Sequence, residues 1–278
     1  MKTVQVGDLT LGVRVAGDAA NPALLLLHGW PHSSALYAGV LDDLARDFHV
    51  LAFDLPGIGA SRGAPPSGEK TLLADIILTA AESSGAHSIL MAGVDCGGMI
   101  TYAAARDHAS RIAGAVVGNT VIPGVEPWSK VIADPRIWHF ALHNVPKLPE
   151  LLVRGHEREY FDFFFDFLAK EKSSLTEAIR AEFTRAYLRP EALASGFAWY
   201  RAFEKDAAHN AGAKSIDVPF LYLRGDADPR SIEEYLEGFR VHGVHDLEGK
   251  VIANSGEYLP IEAPQAFCAA LRDFHARL

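Results

Sequence analysis

Cysteine is almost missing from this chain: Cys96 and Cys268 are the only two among 278 residues. Two distant cysteines give no disulfide framework, which fits a reducing compartment. Long apolar runs are missing too. None approaches the ~18 residues a membrane-spanning helix needs, and residues 1–17 alternate apolar and polar side chains without the apolar stretch of a signal peptide. A cytoplasmic location with no membrane partner is therefore the expectation. Positive charge is in deficit, with 26 Lys and Arg against 35 Asp and Glu and a formal net charge of −9. That balance argues against nucleic acid or an anionic lipid surface as partner. Internal repeats and low-complexity segments are absent. No group of His, Cys and carboxylates has metal-ligand spacing, so neither a metal nor an organic cofactor is expected.

What the chain does have is a large apolar content, 49%, in a length that suits one α/β domain or one domain with an insertion. Short apolar runs at 3–17 (a hairpin), 23–27, 50–53, 88–92, 112–117, 219–223 and 250–253 read as strands. Helical patterns at 35–48, 71–84, 99–106, 232–240 and 264–278 separate them. The central runs are apolar on both faces, as in a parallel sheet covered by helices. The alternation predicts a doubly wound α/β fold. It breaks between Val121 and Ala213, where the pattern is helical only. That segment holds 15 of the 27 Phe, Trp and Tyr residues (15 Phe, 8 Tyr and 4 Trp in the whole chain). Helical packing accounts for most of them, and the excess suggests a cap whose underside adds apolar wall to a pocket. The expected division is core 1–120, helical cap 121–213 and core 214–278.

Gly93-Val94-Asp95-Cys96-Gly97-Gly98 lies between a strand-like run and a helix-like run. Strand, tight turn and helix form the setting of a nucleophile elbow. The positions two before and two after the nucleophile are crowded, so both must be glycine. Asp95 meets that rule with Gly93 and Gly97. Cys96 would have Val94 at the crowded place, which makes Asp95 the candidate nucleophile. His28-Gly29-Trp30-Pro31 follows an earlier strand, where a loop amide (Trp30) and the amide after the nucleophile (Cys96) would form an oxyanion hole. Asp54-Leu55-Pro56-Gly57-Ile58-Gly59 reads as a tight turn rather than a phosphate cradle, because its glycine spacing is not that of a dinucleotide loop.

With these motifs the chain resembles the α/β-hydrolase superfamily, and within it the lidded Asp-nucleophile branch of epoxide hydrolases and haloalkane or haloacetate dehalogenases. The likeness runs from His28-Gly29-Trp30-Pro31 through the elbow to Gly225-Asp226-Ala227-Asp228 and Glu257-Tyr258-Leu259-Pro260-Ile261-Glu262-Ala263-Pro264. By that resemblance Asp95 would attack an electrophilic carbon to form an ester. His139, in Trp138-His139-Phe140, and Tyr200, in Trp199-Tyr200-Arg201, would be lid donors to the opening oxygen. Asp228 would be the acid partner after the seventh strand. His28, Val94, Asn119, Trp138 and Trp199 would contribute to the substrate pocket. The implied substrate is a small or medium-sized apolar organic molecule; a homodimer is left open.

The chain departs from the family where a base histidine is due, because Glu257 stands in its place. None of the 12 histidines is in that loop, and His242 and His245 precede the last strand. The alternative acid position carries Asn119, which cannot hold charge. Ester formation needs no such base, but ester hydrolysis does. A free Glu, near pKa ~4.3, is a weaker base than an imidazole near ~6.5. Beside a second carboxylate in an apolar pocket its pKa would rise. Two other readings stay open: a carboxylate-dependent lyase or isomerase, and a catalytically impaired or altered member that binds a ligand under the cap.

Overall fold

The computed structural model describes residues 1–212 and 214–278, so the expected end of the insertion at Ala213 lies outside the described residues. Eight strands form one sheet: β1 (Lys2–Val6), β2 (Leu9–Ala16), β3 (Ala23–Leu27), β4 (His49–Phe53), β5 (Leu90–Val94), β6 (Gly114–Gly118), β7 (Phe220–Gly225) and β8 (Leu247–Ile252). Their spatial order is β1-β2-β4-β3-β5-β6-β7-β8. β2 runs antiparallel to β1 and β4, and every other pairing is parallel. Every residue of β3 to β7 is buried, as the unbroken apolar runs require of strands covered on both faces. β8 is a half-exposed edge in which Glu248 and Lys250 sit in the exposed stretch, a composition that discourages pairing with another chain.

Register decides where the loops meet. Leu27 pairs with Gly93, Val94 with Gly118, Gly118 with Leu223, and Gly225 with Ile252. The carboxyl ends of β3, β5, β6, β7 and β8 therefore lie along one edge, where an open α/β sheet holds its ligand.

Helices follow where the patterns place them, with one difference. The pattern over residues 35–48 predicts a continuous helix. The chain instead forms a 3₁₀ turn, Ser34–Tyr37, and one turn of helix, α1 (Leu41–Leu44), on either side of Gly39. Tertiary bonds take over there: the Tyr37 hydroxyl donates to the Leu27 carbonyl at 2.6 Å, and Asp54 accepts the Ser34 amide at 2.8 Å. The other core helices are α2 (Lys70–Ser83), α3 (Cys96–Asp107), α11 (Ile232–Val241), α12 (Leu259–Glu262) and α13 (Pro264–His275).

Between β6 and β7 lie α4 (Trp128–Ile132), α5 (Trp138–Asn144), α6 (Leu148–Val153), α7 (Glu157–Leu168), α8 (Glu177–Tyr187), α9 (Pro190–Arg201) and α10 (Phe203–Asn210). Their aromatic residues gather round Trp30, which enters from the sheet below. Its ring centroid lies 4.5 Å from that of His143, 5.0 Å from Phe164, 5.5 Å from Phe161 and 5.8 Å from Tyr200. Part of the aromatic excess thus joins the helical insert to the core. Among the described residues no helix is long and apolar enough to cross a membrane.

Candidate active site

Asp95 leaves β5 and caps the N-terminus of α3 with φ 51° and ψ −128°, a backbone conformation that residues other than glycine rarely adopt. Both neighbouring glycines are sterically required. A Cβ on Gly93 would overlap the Gly97 carbonyl, and one on Gly97 would overlap the Leu27 carbonyl. Gly29 is equally constrained, since its Cβ would strike the Asp95 carboxylate. The Trp30 amide donates to Asp95 Oδ1 at 2.7 Å. Burial pushes the Asp95 carboxyl above its usual range, while amide donation from Cys96 and Trp30 pulls it back. Burial, and then the charge on Asp95, push the Cys96 thiol well up. Cys96 is therefore held as a neutral thiol beside Asp95.

Glu257 faces the same cavity as Asp95, a space of about 430 Å³. Its Oε1 is sealed from solvent and has no hydrogen-bond partner among the described residues. Burial, and then the Asp95 charge, raise its carboxyl well above the ordinary glutamate range, with Arg224 acting in the opposite sense. The backbone under it is fixed from several sides. The Glu257 amide donates to Leu168 O at 3.1 Å, and Asn119 Nδ2 donates to the carbonyls of Gly256 (2.7 Å) and Glu257 (3.1 Å). Asn119 Oδ1 accepts the Gly225 amide at 2.9 Å. The residue at the alternative acid position thus ties β6, β7 and the Glu257 loop together.

Glu262 completes the clamp. Its Oε2 accepts the amides of Gly256 (2.9 Å) and Tyr258 (3.0 Å), and its Oε1 those of Lys170 (2.7 Å) and Glu171 (3.0 Å). One carboxylate therefore joins the Glu257 loop to the helical insert just after α7. Glu262→Ala is expected to cost about 2 kcal/mol or more, since hydrogen bonds to a charged group contribute roughly 1.5–3 kcal/mol. Thermal unfolding and turnover should both suffer, and Glu262→Gln should restore only part of each. Parent values for the alanine variant in both assays would remove the clamp from the account.

Of the other residues expected at the site, Asn119, His139 and Asp228 line the cavity with Asp95 and Glu257. Burial lowers His139 to about 3, so its imidazole is neutral, and its Nδ1 is buried without a partner among the described residues. Asp228 is engaged by arginines: it pairs with Arg224 and lies 3.6 Å from Arg230. Tyr200 is buried with its ring 6.0 Å from that of His139; with Trp138 it borders a second hollow between α4, α5 and α9. His28 has both ring nitrogens bound to backbone, Nδ1 at the Gly29 carbonyl (2.8 Å) and Nε2 at the Leu55 amide (3.0 Å). It holds the Trp30 loop. Val94 and Trp199 are packed in the core cluster.

The cavity wall is mixed. Val121, Ile137, Phe140, Phe167 and Leu168 supply its apolar part. A chain of charges crosses the remainder, in which Arg136 and Arg230 pair with Asp134 (2.7 and 2.6 Å), Arg230 reaches on to Asp228, and Asp228 pairs with Arg224. Sequence reading missed this chain and the Glu262 clamp. The one local signal was Arg224, a charged residue near the end of an otherwise apolar strand.

The family model described as alpha/beta hydrolase fold matches residues 22–264. Over 92% of this chain and 90% of its relative, the sequence is 26% identical to a soluble epoxide hydrolase of Corynebacterium sp. (strain C12). It is also 26% identical to a fluoroacetate dehalogenase of Burkholderia sp., covering 81% and 77% of the two chains. The solved structure of wild-type Cfl2 from Burkholderia cenocepacia superposes with a TM-score of 0.87 at 29% identity, covering 98% of this chain and 94% of that one.

Proposed function

Because the chain belongs to the α/β-hydrolase fold family, we infer that it hydrolyses small organic electrophiles of the epoxide type through an ester on Asp95, with Glu257 as the base. The observation that carries this reading is the setting of Asp95: a carboxylate on a strained elbow, bound by the Trp30 amide and open to the cavity that Glu257 also lines. Similarity to an epoxide hydrolase supports the substrate class.

The Trp30 amide holds Oδ1 of Asp95, which leaves Oδ2 to attack an epoxide carbon in line with the breaking C–O bond. The oxygen so released takes a proton, for which the neutral His139 on the cavity wall is a candidate donor; Tyr200 borders the second hollow instead. The product is a hydroxyalkyl ester whose carbonyl oxygen is Oδ1. Water, deprotonated by Glu257, then adds to the ester carbonyl. Negative charge grows on Oδ1, which the Trp30 amide already binds, and that amide, with the Cys96 amide as the proposed second donor, would act as an oxyanion hole. Collapse releases the diol and restores Asp95. Asp228 holds Arg224 and Arg230 beside the base, and Asn119 and Glu262 hold the loop that bears it.

A single turnover of excess enzyme with styrene oxide in ¹⁸O-water tests this route. Water attacks the carboxyl carbon, so the label should enter Asp95 and the first diol should be unlabelled. Label in the diol from the first turnover would show direct attack of water on the epoxide and remove the ester from the mechanism.

A further inference from the structure

Asp95 and Glu257 pose a problem of charge that the base role alone does not answer. Two buried carboxyl groups facing one cavity do not readily ionise together; such a pair holds one proton between its members. The donors around them decide which member keeps it. Asp95 Oδ1 accepts the Trp30 amide at 2.7 Å, and the adjoining Cys96 acts in the same sense, so that its surroundings favour the anion. Glu257 Oε1 receives nothing from the described residues. The proton therefore rests on Glu257, and a protonated carboxyl group cannot begin a cycle as a base.

We propose that Glu257 transfers protons in both halves of the reaction, giving one to the opening epoxide oxygen and taking one from water afterwards, so that the two carboxyl groups pass a single negative charge back and forth. This rests on the reading that Asp95 forms an ester. In the first half the carboxylate of Asp95 forms a C–O bond and the epoxide C–O bond breaks. The released oxygen takes the Glu257 proton, leaving Glu257 as carboxylate and Asp95 as neutral ester. In the second half Glu257 takes a proton from water as hydroxide adds to the ester carbonyl. The ester C–O bond at the carboxyl carbon then breaks, the leaving alkoxide takes the proton that Glu257 has just gained, and the carboxylic acid left on Asp95 passes its proton to Glu257. Asp95 is again the anion and Glu257 again the acid; the sum is epoxide plus water to diol.

The surroundings support each state. The groups acting on Glu257 are Asp95 from the end of β5, Arg224 from β7, Asp228 from the loop after β7 and Glu262 from α12. Esterification removes the negative charge of Asp95 and leaves Arg224 as the cation beside the newly ionised Glu257. The site thus makes Glu257 an acid while Asp95 is charged and a base once it is not. The double use of one carboxyl beside a nucleophilic one is the logic of retaining glycosidases, here applied to an epoxide. It also accounts for a side chain that would be a poor substitute for histidine if it served as a base only.

The test separates the two halves by following ester formation by rapid quench and intact mass, with styrene oxide as the epoxide and benzyl bromide as an alkylating agent whose leaving group needs no proton. Glu257→Gln should form the epoxide-derived ester about 10²-fold or more slowly, roughly the lower bound for losing a general acid, and should not hydrolyse it. Benzyl bromide should label Asp95 in that variant at the parental rate, which shows that the nucleophile and fold are intact. In the unaltered protein, ester formation from the epoxide should rise with pH as the pair gives up its first proton and fall as it gives up its second. If Glu257→Gln forms the epoxide ester at the parental rate and merely accumulates it, Glu257 is a base alone and the proposal is wrong. If the variant fails to label with bromide, the parental pH profile decides: absence of the falling limb overturns the proposal. Failure of the ester reading itself would look different, with no adduct on Asp95 in the parent from either reagent.

Discussion

Asp95→Asn is expected to abolish ester formation and cut turnover roughly 10⁴- to 10⁶-fold, the scale on which removing a nucleophile acts. The substitution is close to isosteric. Asn tolerates positive φ better than most residues, so the elbow at φ 51° can persist. The amide oxygen can still accept from Trp30, as Oδ1 does in the parent. What disappears is the oxygen proposed to attack, together with its charge. The same change should also release Glu257 from the second-largest cause of its raised pKa, leaving burial as the first. Glu257 should then ionise at lower pH than in the parent. Removing one buried carboxyl group from the pair should leave the melting temperature at or above the parental value, a common relation between active-site charge and stability. Intact mass after incubation with styrene oxide checks the first effect, and thermal unfolding the second. An Asp95→Asn variant that turns over at the parental rate would end the nucleophile assignment.

Lys70→Ala is expected to destabilise the protein by about 3–5 kcal/mol, the usual result of breaking a buried ion pair from one side. Lys70 lies at the start of α2 with its side chain only 4% exposed, and Asp206 of α10 is 6% exposed. The ammonium group donates to Asp206 Oδ2 (2.7 Å), to the Trp199 carbonyl (2.8 Å) and to the Gly68 carbonyl (3.2 Å). The Lys70 amide also donates to Asp206 Oδ1 at 3.0 Å. Truncating the side chain would strand a buried carboxylate and a buried carbonyl where the insert joins the sheet. At ~2–4 °C per kcal/mol for a chain of this size, the melting temperature should fall by about 10 °C. Replacing both partners with apolar residues, Lys70→Met with Asp206→Leu, should recover much of the loss, because no charge is then left unpaired. A single variant that melts with the parent would mean that water replaces Lys70 at little cost.

The sheet and the elbow were legible in the sequence because their causes are local. Five apolar runs without a polar alternation can only be strands covered on both faces, and they became β3 to β7. Gly93 and Gly97 flank Asp95 because backbone carbonyls one turn away or on the adjacent strand leave no room for a Cβ. The break in the helix expected over 35–48 was not legible. Gly39 divides it, and the bonds that replace it run from Tyr37 to β3 and from Ser34 to Asp54, partners no local window contains. The aromatic residues of the insert were visible as a number, yet their use was not: many meet Trp30, and Phe140 and Phe167 are the rings that reach the cavity wall alongside His139 and Tyr235.

By itself the sequence determined the chain's doubly wound α/β architecture, the place of Asp95 on its elbow, and the presence of a glutamate where a histidine was due. Tertiary structure alone decided what surrounds that glutamate. Asn119 and Glu262 fix its backbone, Arg224 and Asp228 charge its surroundings, and burial beside Asp95 favours its protonated form. The physical reason is one of range. Steric rules on strands and turns act between neighbours in the chain and leave a pattern, whereas desolvation and Coulomb forces act between neighbours in space and leave none.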